Sequence, residues 1–325
     1  MDLGFKISDR KLLFRMSELS GHNGSPKNEI DLFLTRGPAQ LDMPPISSVC
    51  FEPVIRKPFT PDLEELVDKK AYEVRISKNW SFVTQAVCVY IDGARIEDGT
   101  LILPSFFRPY DKVIAGRQLR QAGQQIPLEI ATGAFGMIAA CAYDRNWLLY
   151  GTRARWTVDI GGPIQFVGVG TSEELDPEQR LITEIKEETG INRNNLSRWQ
   201  LVGFSGSLKY WFDTGVDFAV ATKPLADVSV YDTFSSLLRD AGGYENLSLP
   251  KLEGRAAQAF EEFGPVLDLG QRSKEHKRVF GLPVDKLEQA YVGAGIRNLM
   301  ASYTRMQTAR WLVDPTLRNF LKANV

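Results

Sequence analysis

The arrangement of apolar and polar positions predicts a pair of adjacent strands near the middle of the chain. Residues 135–142 form a small and apolar run, which is typical of a buried strand. Residues 144–146 are turn formers, and residues 147–153 then predict the second arm of a hairpin. A loop is expected over residues 155–162, and a further strand is expected over residues 164–169.

The next segment, residues 176–189, predicts one short amphipathic helix. Asp176 followed by Pro177 is typical of an N-cap and a first helical position. Gln179 could complete a capping box with Asp176, and Gly190 is a natural C-cap. The apolar stripe that would pack against the rest of the protein consists of Leu181, Ile182 and Ile185.

The remainder of the C-terminal half alternates between strand and helix patterns. Strands are expected at residues 199–205 and 218–223, where β-branched and aromatic residues are bounded by Gly and Asp. A strand that leads into a short helix is expected at residues 278–287. A long interruption at about residues 225–270 carries two helical patterns, and two closing helices come after the last strand. The four expected helices cover residues 233–240, 255–263, 295–312 and 315–321.

The N-terminal part of the chain mixes strand and helix patterns and carries no motif that reveals a function. Strands are expected at residues 11–19, 29–36, 72–77 and 83–90. Helices are expected at residues 61–69 and 111–121. We therefore divide the chain into an N-terminal mixed α/β region, residues 1–130, and a second domain, residues 131–325, which contains the interruption.

Composition and charge are those of an ordinary soluble globular protein. Of the 325 residues, 43% are hydrophobic and 24% are charged, and the formal net charge is −1. This near-neutral charge gives no reason to expect a nucleic acid or a membrane as a partner. Because the sequence has no long apolar run and no signal-peptide pattern at its N-terminus, a cytoplasmic location is expected. Cys50, Cys88 and Cys141 are interpreted as small buried hydrophobes in a reducing compartment.

The candidate chemistry is concentrated on the predicted amphipathic helix. Glu184, Glu187 and Glu188 have i, i+3 and i+4 spacing, so they share one face of that helix. Like charges at this spacing repel by on the order of a few tenths of a kcal/mol per pair. A divalent cation is the obvious group to offset the repulsion, because hard cations such as Mg²⁺ prefer carboxylate oxygens. The chain has only two histidines, His22 and His276, so carboxylates are expected to carry any acid–base chemistry.

This helix and the residues before it resemble the signature of the Nudix hydrolase superfamily, G-x5-E-x7-R-E-U-x-E-E-x-G-U, where U is a bulky aliphatic residue. Gly168 and Glu174 match its first two fixed positions, and residues 184–191 match its second half at the right spacing. The chain departs from the signature at two points. The segment after Glu174 is one residue too long, and Thr183 occupies the position of an arginine that holds a catalytic glutamate in the family. Arg180, one turn earlier, could substitute for that arginine.

The resemblance implies an α+β fold, namely a Nudix α/β/α sandwich with a mixed sheet, here with an N-terminal mixed α/β region and a helical insertion. It also implies a hydrolase that cleaves the pyrophosphate bond of a nucleoside diphosphate linked to another moiety, with Mg²⁺ or Mn²⁺ as the cofactor. The implied metal ligands are Glu184, Glu187, Glu188 and Glu174. The implied catalytic residues are Glu184, Glu187 and, as a general base, Glu275. Substrate phosphate contacts are expected from Arg153 and Arg155, and a homodimer is compatible with the resemblance.

Several alternatives stay open from the sequence. Glu275 also fits an exposed position in a charged loop, His276 is expected at the surface, and the two arginines could be exposed strand-end residues. Thr183 and the large flanking regions are compatible with a catalytically weak or inactive nucleotide-binding or regulatory module. An isoprenoid diphosphate isomerase of the same superfamily would need a catalytic cysteine, for which Cys141 in an apolar strand is a poor candidate. A transcription regulator would need a DNA-binding domain, and no basic helix-turn-helix is visible.

Overall fold

The protein has mixed α and β content, with a mixed sheet and several helices, as in an α+β fold. The computed structural model describes residues 6–7, 48–55, 59–78, 87–91, 93–126, 130–153, 164–171, 176–207, 213–240, 258, 261–271, 276–300, 302–313 and 315–322. The strands in these ranges are β1 (Lys6–Ile7), β2 (Ser48–Pro53), β3 (Val87–Ile91), β4 (Gly93–Glu97), β5 (Thr100–Pro109), β6 (Ile130–Ala142), β7 (Arg145–Arg153), β8 (Ile164–Phe166), β9 (Val169–Thr171), β10 (Leu196–Ser207), β11 (Asp213–Pro224), β12 (Ser229–Tyr231), β13 (Val266–Gly270) and β14 (His276–Pro283).

The α-helices in the same ranges are α1 (Pro61–Lys78), α2 (Tyr110–Gln121), α3 (Pro177–Thr189), α4 (Phe234–Asp240), α5 (Ser302–Val313) and α6 (Pro315–Lys322). Short 3₁₀ segments lie at Arg193–Asn195, Val284–Lys286 and Ile296–Leu299, and a π-helical turn lies at Gln289–Gly293. None of the helices in the described ranges combines the length and the apolar character that a membrane-spanning helix requires.

Strand β6 joins the two parts of the sheet. It pairs antiparallel with β7 and β9 and parallel with β11. Beyond β7 the sheet continues through β14, β13 and β12, and each strand is antiparallel to the one before it. In the other direction β6 pairs with β3, which pairs with β5, so hydrogen bonding continues across residue 130 into the N-terminal region. Strands β8 and β14 both pair with β7, and β9 pairs with β6.

Both faces of the central strands β6, β7, β11 and β14 are buried. Met137 and Tyr150 belong to one apolar cluster, whereas Ile138 and Leu149 belong to a second cluster that includes the apolar stripe of helix α3. Side chains from α4, α5 and α6 join the first cluster. Because neighbouring residues of β6 pack on opposite faces and both faces are covered, its sequence is apolar without alternation.

A group of stacked aromatic rings lies within the first cluster. The ring centroids of Tyr150 and Phe166 are 4.9 Å apart, and those of Tyr150 and Phe280 are 5.8 Å apart. The Tyr150 hydroxyl lies 3.0 Å from the Thr308 hydroxyl on α5. Burial raises the pKa of the Tyr150 phenol above its usual value, so this group stays neutral and ties α5 to the sheet.

The expected hairpin at β6 and β7 is confirmed, with a turn one residue earlier than predicted. Tyr143 and Asp144 occupy the turn with φ angles of 51° and 54°. The expected strand at residues 164–169 is divided into β8 and β9, because Gly168 lies between them with a φ of 77°. The expected helix at residues 295–312 is wrong in its first part, where the chain forms a 3₁₀ segment before α5 begins.

The expected strand at residues 72–77 is wrong, because these residues continue helix α1. Val67, Ala71 and Val74 are buried at helical spacing, and α1 packs on α2. The structure also contains β2, β4 and β5, which the sequence pattern did not predict. On β2 the side chain of Cys50 is exposed, so its interpretation as a buried hydrophobe is wrong.

The interruption at about residues 225–270 adds strands as well as a helix, because β12 and β13 extend the sheet beside β14. Arg278 on β14 donates two hydrogen bonds to Asp268 on β13, at 2.8 and 2.7 Å. It also donates to the hydroxyl of Tyr231 on β12 at 3.0 Å, and Tyr231 donates to Asp240 on α4 at 2.7 Å. These contacts join three strands and a helix. The expected strands at residues 11–19 and 29–36, the loop at 155–162 and most of the helix at 255–263 lie outside the described residues.

Candidate functional site

Helix α3 begins and ends as its sequence predicts. The Asp176 carboxylate accepts hydrogen bonds from the backbone N–H groups of Glu178 and Gln179, both at 3.0 Å. Pro177 is the first helical residue, and Gly190 closes the helix in the left-handed conformation with a φ of 74°. Local sequence therefore fixes where helix α3 begins and ends, and with this the helical positions of the three glutamates.

The three glutamates of this helix differ in exposure. Glu184 and Glu188 are buried, with 7% and 2% of their surface exposed, whereas Glu187 is exposed. On a helix, residues four positions apart lie almost above one another, as Glu184 and Glu188 do. Glu187, directly before Glu188, points to one side of that pair. The single carboxylate face expected from the sequence is thus divided into a buried pair and one exposed side chain.

Glu184 forms an ion pair with Arg180, one turn earlier on the same helix. Both side chains are largely buried, with 14% of the Arg180 side chain and 9% of the Glu184 side chain exposed. Thr183, which occupies the arginine position of the signature, donates its hydroxyl hydrogen bond to the Gln179 carbonyl at 3.0 Å. The Gln179 amide in turn points at Thr183, at 3.4 Å, rather than completing a capping box. Arg180 therefore provides the guanidinium contact to Glu184 that Thr183 cannot provide.

Glu188 is held between the turn before β9 and the first residue of β14. Its Oε2 atom accepts a hydrogen bond from the Gly168 backbone N–H. Its Oε1 atom lies 3.2 Å from Nε2 of His276, whose side chain is completely buried. This approach is a close polar contact rather than a hydrogen bond. The expectation that His276 lies at the surface is wrong, because the charged residues around it in sequence do not indicate its direction.

Two glycines leave room for this arrangement. A β-carbon at Gly151 on β7 would lie 2.3 Å from Nδ1 of His276, so the imidazole ring occupies space that a side chain would take. Gly168 has a φ of 77°, and a β-carbon there would lie 3.0 Å from Ile185 on α3. Glycine at both positions allows the sheet, the turn and the helix to approach closely.

The structure brings together only part of the predicted site. Glu184 and Glu188 are buried on the same helix, and Glu187 is placed at its surface. The backbone of Arg153 pairs with that of His276 at the ends of β7 and β14, but its side chain lies outside the described part of the structure. The other predicted residues, Arg155, Glu174 and Glu275, also lie outside it.

His276 and Gly151 were not predicted as parts of the site. A glycine in the interior of a strand is a weak sequence signal for close approach by another group, and Gly151 carries that signal. Nothing in the local sequence indicates that the approaching group is His276, since the two residues are 125 positions apart in the chain.

The donor set is chemically suited to a hard divalent cation, because Glu184, Glu187 and Glu188 offer only carboxylate oxygens. Among the residues that the structure describes, however, no group of three or more His, Cys, Asp or Glu side chains is arranged to hold a metal ion. Arg180 contacts one buried carboxylate, and Gly168 and His276 contact the other. The repulsion that suggested a cation is therefore offset at least in part by groups of the protein itself.

These features describe a protein of mixed α and β content with two buried, internally contacted carboxylates on a capped helix. No protein-family model matches the chain, and no curated protein matches it either.

Proposed function

We propose that the protein is a hydrolase of the Nudix type that cleaves the pyrophosphate bond of a nucleoside diphosphate linked to another moiety. One contact carries this proposal: the backbone N–H of Gly168, the first residue of the signature, donates to Glu188, the last of its glutamates. The two halves of the signature therefore meet in space, although the segment between them is one residue too long. The capped helix and the central strands buried on both faces are compatible with the same proposal.

In this proposal Mg²⁺ or Mn²⁺ is held by Glu184, Glu187 and Glu188, with Glu174 as a further ligand. When bound, such an ion supplies Lewis-acid stabilisation of phosphate charge and lowers the pKa of a bound water. Arg180 orients Glu184, since a guanidinium and a carboxylate form a directional, charge-assisted contact. The exposed Glu187 is the ligand that can move most freely toward an incoming ion.

The remaining roles follow from chain position. Glu275 directly precedes His276, which contacts Glu188, so its place in the sequence supports its proposed role as general base. Arg153 ends β7 opposite the start of β14, and with Arg155 it is proposed to bind substrate phosphates. This part of the proposal predicts that substrate enters near the ends of β7 and β14.

A hydrolysis assay tests the proposal. The full-length protein with Mg²⁺ or Mn²⁺ is expected to release a nucleoside monophosphate from at least one member of a panel of nucleoside diphosphate derivatives. Glu188→Gln is expected to abolish this release, because it removes a negative charge from the buried ligand pair. Glu178→Gln, an exposed glutamine substitution in the first turn of the same helix, is the matched control and should retain wild-type activity. An inert wild type across the panel with both metals would refute the proposal.

A second candidate function is a nucleotide-binding or regulatory module without turnover. The observation that favours it is that both buried carboxylates already have contacts within the protein, to Arg180 and to His276. This candidate predicts stabilisation by nucleotide ligands without release of product. Introducing the arginine of the signature, Thr183→Arg, would then leave turnover undetectable, whereas a gain of turnover would favour the hydrolase.

A further inference from the structure

We propose that the protein has a second binding site, which takes a small organic cation with an apolar or aromatic body. The site is a pocket of about 530 Å³ at the turn end of the β6–β7 hairpin. Its walls come from that turn, from the segment directly after β14, and from helices α5 and α6. Small-molecule sites commonly have volumes of roughly 300–1,000 Å³, so this pocket has the size of a ligand site.

The pocket and the candidate site on α3 lie at opposite ends of the same strands. Strand β7 begins at Arg145, which lines the pocket, and ends at Arg153, which pairs with His276. At about 3.3 Å per strand residue, the backbones of Arg145 and Arg153 are roughly 25 Å apart. A small molecule in the pocket is therefore distant from Glu188, and its binding is independent of the proposed hydrolase activity.

Apolar side chains form most of the pocket surface. Val284 and Leu287 contribute from the segment after β14, and Trp311 and Leu312 contribute from α5. Leu287 and Trp311 are buried members of the first apolar cluster, so these walls are continuous with the core. A ligand with an apolar body gains free energy by removing this surface from water.

Both guanidinium groups at the pocket already have contacts within the protein. Arg145 pairs with Asp285, at a nitrogen–oxygen distance of 3.1 Å. Arg318 on α6 donates to the backbone carbonyl of Leu312. Because the described lining carries three carboxylates and two guanidinium groups, its formal charge is −1.

The other two carboxylates of the pocket belong to Asp144 and Glu288. Both side chains are exposed, and neither carboxylate has an ion pair or a hydrogen bond with another residue that the structure describes. The neighbouring Tyr143 donates to the Val228 carbonyl at 2.7 Å, which fixes the turn that carries Asp144. The unpaired charge at the pocket is thus negative and is held on an ordered turn.

Glu288 lies directly before the π-helical turn Gln289–Gly293. Within this turn the Tyr291 hydroxyl donates to the Arg305 carbonyl on α5 at 3.1 Å. This hydrogen bond ties the segment that carries Glu288 to the helix that supplies the apolar wall. π-helical turns are frequent at functional sites, so the local backbone supports a binding role for this part of the chain.

Apolar walls beside unpaired carboxylates suit an amphipathic cation. An ammonium group can pair with Asp144 or Glu288, while the body of the ligand covers Trp311 and Leu312. Tryptophan is also the side chain whose ring attracts cations most strongly. The same excess of negative charge disfavours a phosphate-bearing ligand, so the expected ligand differs from the proposed substrate.

The experiment compares three probes that share a phenyl ring and differ in charge, namely phenethylamine, 2-phenylethanol and 3-phenylpropionate. Their dissociation constants are measured on the full chain by ligand-observed NMR in EDTA, so that no metal contributes. Phenethylamine is expected to bind about 3- to 10-fold more tightly than the alcohol, and the propionate most weakly. Added NaCl should reduce the preference for the amine, because salt screens exposed charges.

Three results with these probes would overturn the proposal. They are equal binding of the amine and the alcohol, tighter binding of the propionate than of the amine, and no saturable binding of any probe. Each of them leaves the pyrophosphate hydrolysis assay unaffected, so failure of this inference is distinguishable from failure of the proposed function.

Protein NMR locates the bound amine. The chain has six tryptophans, and the indole ¹H–¹⁵N resonance of Trp311 is identified as the one that Trp311→Phe loses. This resonance is expected to shift saturably with phenethylamine, because Trp311 lines the pocket. Saturable binding that leaves the Trp311 resonance unchanged would overturn the proposal.

A charge-removing substitution tests the role of the carboxylates. Glu288→Gln is expected to weaken phenethylamine binding by about 2- to 5-fold and to leave 2-phenylethanol binding unchanged. The matched control is Glu65→Gln, an exposed glutamate on α1, which should leave both affinities unchanged. An equal loss in the two variants would contradict the proposal. Thermal unfolding shows whether each variant is folded, and should Glu288→Gln fail to fold, the probe order and the Trp311 shift of the wild type decide the question.

Discussion

Individual side-chain and backbone groups compensate the two buried carboxylates of helix α3. Burying a charged group is costly unless another group compensates it. Arg180 compensates Glu184 from within the same helix, whereas Glu188 receives its contacts from Gly168 and His276, which lie in distant parts of the sequence. The contact between Arg180 and Glu184 is predictable from their i, i+4 spacing, whereas the contacts of Glu188 with Gly168 and His276 are not.

A substitution of Arg180 tests this compensation. Arg180→Ala is expected to lower the free energy of unfolding by about 2 kcal/mol in metal-free buffer, because Glu184 loses a charged hydrogen-bonding partner. Added Mn²⁺ should recover part of the loss if the ion takes over the role of the guanidinium. Chemical denaturation with and without Mn²⁺ measures both effects.

The matched control is Lys70→Ala on α1, which removes one partner of the exposed i, i+3 pair with Glu73, whose nitrogen–oxygen distance is 2.9 Å. Because water already screens that pair, no measurable change is expected. A loss of stability in Lys70→Ala as large as in Arg180→Ala would show that burial is not the deciding factor.

At the scale of secondary-structure elements, β14 connects the candidate site to the far edge of the sheet. Its first residue, His276, contacts Glu188, and Arg278, two positions later, makes the paired hydrogen bonds to Asp268 on β13. The Asp268 carboxylate, through its hydrogen bonds, raises the pKa of Arg278 above its usual value, so the guanidinium stays charged. The strand that carries His276 is thus fixed on both of its edges.

This connection predicts different results for two substitutions of Arg278. Arg278→Met should reduce the free energy of unfolding by on the order of 3 kcal/mol, because it leaves the buried carboxylate of Asp268 without its guanidinium. Arg278→Lys should lose less, about 1 kcal/mol, since it keeps the charge and loses the two-pronged geometry. Urea denaturation measures the free energy of unfolding of both variants. A lysine variant as unstable as the methionine variant would contradict this account.

At the scale of the whole molecule, helix α3 is held on a sheet whose other face is covered by α4, α5 and α6. The candidate site therefore lies where one helical layer meets the sheet and not on a free-standing helix. A ligand that binds the site only in the folded protein stabilises the whole fold by mass action.

The proposed metal site thus predicts a global effect. Mn²⁺ at about 100 times its dissociation constant should add about 2.7 kcal/mol to the free energy of unfolding. Differential scanning calorimetry should show the unfolding transition that contains α3 at a higher temperature with Mn²⁺ than with EDTA. Glu188→Gln should lose this shift. A wild type that unfolds identically in both buffers would contradict a metal site at these glutamates.

Three parts of the chain show what can be predicted from the sequence and what cannot. Helix α3 was predicted with its ends because Asp176, Pro177 and Gly190 act locally. The strand expected at residues 72–77 is wrong: apolar and charged residues alternate over that short segment, but Val67, Ala71 and Val74 are buried at helical spacing along α1. The burial of His276 was missed because it depends on a bulge in β14 and on a glycine in β7.

The sequence by itself determined the glutamate helix, its caps, the hairpin before it and the resemblance that suggests its chemistry. These features depend on residues within a few positions of one another, whose interactions are nearly independent of the rest of the fold. Only the tertiary structure decided that Glu184 and Glu188 are buried while Glu187 is exposed, and that His276 meets Glu188 above Gly151. The physical reason is that burial and contact between distant segments are properties of strand pairing and helix packing, which no local pattern specifies.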